Sequence, residues 1–281
     1  MKSLYVSGFL LLSSLIVCAQ DKIDISNSVD ISIAHTQRES YVTRIKTIHK
    51  LGRNLTNAEV KAIYEFLAKK TSESKLSNLE FNALKNELVI VLMKQRRYPE
   101  KLTLELSDMF FNKELGITWR DYCIQFLGQW YSKTQTSKER ELTRRTLFAA
   151  LEEQKNGIAG TALIALKPLV NFPGVNKQKI AEIAQSISED TKAFYLNRIP
   201  ALQISAALGN TQAIKTARKI INTENPVMLR MSALAVLGMH GSTADLTLLK
   251  KHTKSNDIRI RTAALRAVKK LEARLNSPNK K

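Results

Sequence analysis

The stretch Asn256-Asp257-Ile258-Arg259-Ile260-Arg261-Thr262-Ala263-Ala264-Leu265-Arg266-Ala267-Val268 decides the fold. Counted from Arg261, small or apolar residues fall three, four, six and seven places on, at Ala264, Leu265, Ala267 and Val268. Offsets 0, 3, 4 and 7 share one face of a helix. The frame recurs from Arg230, through Ala233, Leu234, Val236 and Leu237, and from Arg120, through Cys123, Ile124, Phe126 and Leu127. A fourth copy lacks the arginine but keeps Ala162, Leu163, Ala165 and Leu166. A weaker fifth reads Ile204, Ala207, Leu208 and Gly209. The frames end at Leu127, Leu166, Leu208, Leu237 and Val268, spaced by 39, 42, 29 and 31 residues. Each interval holds two helices and two turns. One hairpin cannot bury such a stripe alone, so successive hairpins must stack. The small residue at offset three lets neighbouring helices approach. Asp257, four residues before Arg261, is spaced to cap its helix and to pair with that arginine.

Outward from this stretch the chain reads as helix after helix from about residue 37. Thr56-Asn57-Ala58-Glu59, Ser77-Asn78-Leu79-Glu80 and Thr136-Ser137-Lys138-Glu139 are capping boxes, each before a run of apolar residues at helical spacing. Asn225-Pro226 offers an N-cap followed by proline at the first helical position. Twelve or thirteen helices of ten to eighteen residues are expected, with no period-2 segment. Residues 20–36 carry no helical stripe and read as a flexible lead-in.

The stretch 256–268 resembles the second-helix motif of HEAT repeats: an acidic turn, then an apolar residue, Arg261, and the small-Ala-Leu run. Val227-Met228-Leu229-Arg230-Met231-Ser232-Ala233-Leu234 resembles it again. The likeness is clear over about 196–275, looser over 119–169, and absent from 37–115. It implies an all-α, right-handed α-solenoid of stacked antiparallel hairpins. Residues 37–115 would form its N-terminal part, 116–275 the HEAT-like repeats and 276–281 a basic tail. It also implies a scaffold whose concave face binds another macromolecule, and structural roles for Arg120, Arg230 and Arg261. It transfers no catalytic residue.

The chain has 281 residues and a formal net charge of +19. Two cysteines exclude a disulfide framework and a Cys₄ zinc site. Lys2 precedes an apolar run from Leu4 to Val17, and Val17-Cys18-Ala19 suits a signal peptidase cutting before Gln20. Residues 1–19 therefore read as an export signal to the periplasm or beyond. A lipid anchor at Cys18 is the alternative, though Val17 is a poor neighbour for it. Cleavage leaves 262 residues at about +18 and only Cys123, which is better read as a small core residue than a nucleophile.

No HExxH, GxSxG, Walker-type or CxxC motif is present, so the sequence assigns no catalytic, cofactor-binding or metal-ligating residue. His35, His49, His240 and His252 are scattered; His240 and His252 flank one hairpin and would need Asp245 to hold a metal. Asn54-Leu55-Thr56 matches a glycosylation acceptor, but Thr56 is better explained as a helix cap.

Charge is uneven. Residues 250–281 hold eleven lysines and arginines against Asp257 and Glu272, a surplus of +9. Arg259, Arg266, Lys269, Lys270 and Arg274 lie largely off the apolar stripe. They make either a patch for an anionic partner or a solvated face closing the solenoid. A second cluster, Lys94, Arg96, Arg97 and Lys101 around Tyr98-Pro99, reads as a turn whose cations suit a helix C-terminus.

Three functions follow as expectations. The first is an exported, non-catalytic scaffold that binds a protein. The second is a binder of anionic envelope polymer or lipid headgroups through the C-terminal patch. The third is a DNA-binding protein similar to HEAT-like alkylpurine DNA glycosylases, for which Trp119, Tyr122, Trp130 and Asp121 supply residue types. An export signal disfavours nucleic acid as the partner.

Overall fold

The computed structural model describes residues 26–34, 40–223 and 226–277. Fourteen α-helices follow one another there, with three short 3₁₀ turns and no strand. They pair as seven hairpins: α1 (Asn27–Ile33) with α2 (Tyr41–Ile48), α3 (Asn57–Leu67) with α4 (Asn78–Met93), and α5 (Leu102–Phe111) with α6 (Ile117–Trp130). Then come α7 (Ser137–Ala150) with α8 (Ile158–Leu166), α9 (Lys177–Glu189) with α10 (Tyr195–Ala207), α11 (Gln212–Asn222) with α12 (Val227–His240), and α13 (Asp245–His252) with α14 (Ile258–Asn276). The even helices pack on one another in an unbroken row, and the odd helices cover one side of it. The architecture is an α-solenoid.

The helices begin where local chemistry supplies partners for their first N–H groups. Thr56 with Glu59, Ser77 with Glu80 and Thr136 with Glu139 form reciprocal capping boxes. Pro226 stands at the N-cap of α12, one place earlier than its sequence suggested, and Asn225 lies outside the described residues. The expected lead-in is also corrected. Ser26 accepts from the Val29 N–H and starts α1, which buries Val29 and Ser32 against α2 and α3. The expected signal segment, Cys18 and Gln20 lie outside the described residues, as does His35. No described helix is long and apolar enough to cross a membrane.

Between the two layers runs a continuous apolar seam. It forms two clusters that meet in α10, where Ile204 belongs to the first and Leu202 to the second. Glycine sets the helix spacing at two stations. A Cβ built on Gly128 of α6 would stand 2.6 Å from the Ala165 Cβ of α8, and one on Gly238 of α12 would stand 2.7 Å from the Ala267 Cα of α14. Both are the twelfth residue of their helix; the twelfth residue of α14 is Lys269, which is exposed.

The arginine of the repeat frame is the fourth residue of its helix, and it recurs more often than the frame revealed. Arg44, Arg120, Arg198, Arg230 and Arg261 hold that place in α2, α6, α10, α12 and α14. In three hairpins its Nε donates to the carbonyl of the penultimate residue of the preceding helix. These bonds are Arg44 to Ser32 (3.1 Å), Arg120 to Phe110 (2.7 Å) and Arg198 to Ser188 (3.1 Å). Each satisfies a carbonyl that the helix end leaves orphaned. Arg261 reaches the Ser255 carbonyl instead, at 2.8 Å. Arg198 moves the fifth frame from Leu208 back to Ser205, so the frames end at Leu127, Leu166, Ser205, Leu237 and Val268.

Candidate functional site: a basic-rimmed groove between the last two even helices

The outer face of α12 presents Met231, Ala235 and Met239, one per turn. The facing strip of α14 presents Ile258, Ala263 and Ala267 with Arg259, Thr262, Arg266 and Lys270. The contact of Gly238 with Ala267 draws the helices together. The small side chains Ala235 and Ala263 then leave a groove of about 500 Å³ above it. Its floor is apolar, and two of its residues are methionines, whose unbranched side chains adapt to varied partners. Ile258, at the mouth, is 59 % exposed.

Three of the five residues in the expected patch meet here: Arg259, Arg266 and Lys270. Arg259 is held by Asp257 at 2.8 Å, and this side-chain bond takes the Asp257 carboxyl down to about 2. The expected pairing of Asp257 with Arg261 does not form, because Arg261 turns to Ser255. Asp257 does cap α14, accepting from the Arg259 N–H at 2.9 Å. Arg274 bends back to donate to the Gly241 carbonyl, and Lys269 is exposed outside the groove lining. Among the described residues Arg266 and Lys270 have no ion-pair partner, so the groove keeps their charge. His240, at the end of α12, is outside the lining; burial lowers its pKa first, and Arg274, Lys167 and Lys270 add to the effect.

The other candidates disperse. His252 lies beside Arg230 rather than facing His240, and burial chiefly lowers its pKa. Asp245 is taken by Arg218 at 2.7 Å and by the Ser242 N–H at 2.8 Å. No cluster of three metal-ligating side chains occurs among the described residues. Trp119 and Trp130 are core residues, at 1 % and 3 % exposed, and Asp121 accepts from Gln125 at 3.1 Å. These residues make no open aromatic face with a free carboxylate. Cys123 is fully buried, and burial pushes its thiol pKa up.

The groove is not legible from the repeat frame, because Met231, Ala235 and Met239 fall outside its positions and the strip they face lies on a separate helix, α14. The available signal was the turn-by-turn spacing of two methionines around an alanine on the side of α12 opposite Leu234 and Leu237.

Residues 180–269 match the family model described as HEAT repeats, a segment that runs from α9 into α14 and so spans the last three hairpins. No curated protein matches the chain.

Proposed function

We propose that this chain is a non-catalytic protein-binding scaffold, a reading supported by the match of residues 180–269 to HEAT repeats, which typically build non-catalytic helical scaffolds for protein interaction. Its groove between α12 and α14 takes an amphipathic segment of the partner. The segment lays an apolar face on Met231, Ala235 and Met239 and sets acidic residues against Arg266 and Lys270. One observation carries this reading: an apolar floor and unpaired cations line the same groove. The test is affinity capture with wild type and with R266E/K270E. A partner retained by wild type and lost by the charge reversal supports the groove; equal retention by both removes it.

A second reading rests on the same exposed cations. They would hold anionic polymer or lipid headgroups by charge alone, without the apolar floor. Such binding falls steeply as salt rises and is indifferent to M231S/M239S, whereas segment docking is lost in that variant.

Export is part of the proposal, supported by residues 1–19 of the sequence. N-terminal sequencing of the mature protein should read from Gln20. An intact Met1 on a cytosolic protein would end this claim and return nucleic acid to the list of partners.

A further inference from the structure

A second cavity lies in the N-terminal half of the row, beside the ends of α4 and α6, on the edge where even helices finish and odd helices start. Three connections enclose it: residues 52–55 before α3, 94–99 between α4 and α5, and 131–135 between α6 and α7. Backbone bonding locks the first two together. The Arg96 N–H donates to the Arg53 carbonyl at 2.9 Å, while the Gln95 side chain takes the Leu55 N–H at 2.8 Å and donates to the Gly52 carbonyl at 3.0 Å. The cavity holds about 440 Å³.

Its lining contains four cations, Arg53, Lys94, Arg96 and Lys133, and no carboxylate. Among the described residues none of the four has an ion-pair partner; Lys133 lies over the Trp130 ring, at 5.5 Å from its centroid. Two helix ends explain part of this charge. Lys94 is the C-cap of α4, and Lys133 ends the 3₁₀ turn that follows α6. A helix C-terminus carries about −0.5 of a charge, so two of them balance about one of the four cations. The remainder faces the cavity, at whose edge the Glu139 carboxylate is taken up by the Tyr98 hydroxyl at 2.5 Å and by its own capping box. Trp130, 3 % exposed on the same lining, stacks on Tyr98 at 5.5 Å between ring centroids and gives the cavity a rigid aromatic wall. Guanidinium groups favour planar two-point contacts with oxyanions, and lysines add point charge. Two guanidinium groups and two ammonium groups on one lining are what a multiply charged oxyanion requires.

We propose that this cavity binds a phosphate group, either free or as the headgroup of a lipid. Arg53 and Arg96, anchored through their backbones, supply the directional donors, and Lys94 and Lys133 supply charge from either side.

The probes are pyrophosphate in solution and vesicles of phosphatidylcholine with and without phosphatidic acid, used with the full chain at low salt. Wild type should bind pyrophosphate saturably in calorimetry. R53A/R96A should weaken this by about tenfold or more per guanidinium removed. R266E/K270E, at the other cavity, should bind as wild type does, so failure of the groove reading leaves this site standing. If a lipid is the source, vesicles with phosphatidic acid retain the protein and pyrophosphate releases it. If free phosphate is the source, pyrophosphate binds and both vesicles are ignored. Should R53A/R96A fail to fold by circular dichroism, K94Q/K133Q replaces it with the same expected direction. Absence of saturable binding by wild type at about 10 mM pyrophosphate, or binding equal in wild type and the double variant, overturns the proposal.

Discussion

Replacing Gly128 by alanine opposes two effects of known size. Helix propensity alone favours the change by about 1 kcal/mol, because glycine in a helix interior is that much worse than alanine. Against it stands the Ala165 Cβ at 2.6 Å and its Cα at 3.1 Å from the new methyl. Carbon atoms prefer separations of about 3.5–4.0 Å. The obstructing methyl sits directly on the α8 backbone, so no rotamer relieves the overlap and the two helices must part. Overpacking of this kind costs about 1–3 kcal/mol. The severity of the overlap puts G128A at the upper end, for a net loss of about 1–2 kcal/mol. A165G alone should lose about 1 kcal/mol of propensity. In G128A/A165G the propensities cancel and the 2.6 Å methyl overlap disappears, leaving only the 3.1 Å approach to the Cα, so the double variant should lie within about 1 kcal/mol of wild type, on the less stable side. The four proteins are compared by urea unfolding followed by far-ultraviolet circular dichroism. The reasoning fails if G128A is more stable than wild type, as propensity alone would have it, or if the single changes simply add.

Other perturbations read different parts of the structure. Asn197 is fully buried and takes the Gly160 N–H while donating to the carbonyls of Gln154 and Asn156; the Gln154 carbonyl keeps the Phe194 N–H, so N197A strands two backbone groups and should cost about 2 kcal/mol in urea unfolding. Glu153 is held at about 2 against its own burial by Lys113, Arg120 and Asn156. Its carboxylate therefore stabilises the fold above the unfolded value of about 4.3. That contribution disappears as pH falls toward 2, and E153Q should flatten the acid limb of a stability-against-pH curve. Lys85 is 1 % exposed, and burial brings its pKa down to about 7 although it lies over the Phe81 and Trp119 rings. The folded state then binds fewer protons than the unfolded state between about 7 and 10.4, so stability should rise with pH across that window. K85M should remove the rise; a parallel slope in both proteins would exclude Lys85 as its source.

What could be read from the sequence was what is local or strictly periodic. The capping boxes at Thr56, Ser77 and Thr136 rest on pairs three residues apart, and all three form. The frames at Arg120, Arg230 and Arg261 identified three even helices correctly. The fifth frame slipped because Leu208-Gly209 imitates Leu127-Gly128 and Leu237-Gly238. Gly209 has φ of 93° and open space about its Cα, so it ends α10 in a left-handed turn and is no packing glycine. The true anchor, Arg198, went unread. α1 escaped because seven residues are too few to show a stripe. The cavity that gathers Arg53, Lys94, Arg96 and Lys133 was half visible, as a cluster around Tyr98-Pro99. Its other two members sit about forty residues away on each side, and only the stacking of hairpins brings them together.

The arginine bond within a hairpin also bears on the order in which the chain assembles. Hairpins one, three and five close on themselves, because Arg44, Arg120 and Arg198 each reach back only ten to twelve residues. The second hairpin has Phe81 at the arginine's place and closes through Lys85, which donates to the Lys69 carbonyl at 2.5 Å. The fourth has Thr161 there, and the carbonyls of its turn at Gln154 and Asn156 are met by Asn197, a residue of the fifth. During synthesis from the N-terminus, the turn of hairpin four can trade water for these protein partners only once α10 has formed, so the fourth hairpin is completed by its successor while its odd-numbered neighbours complete themselves.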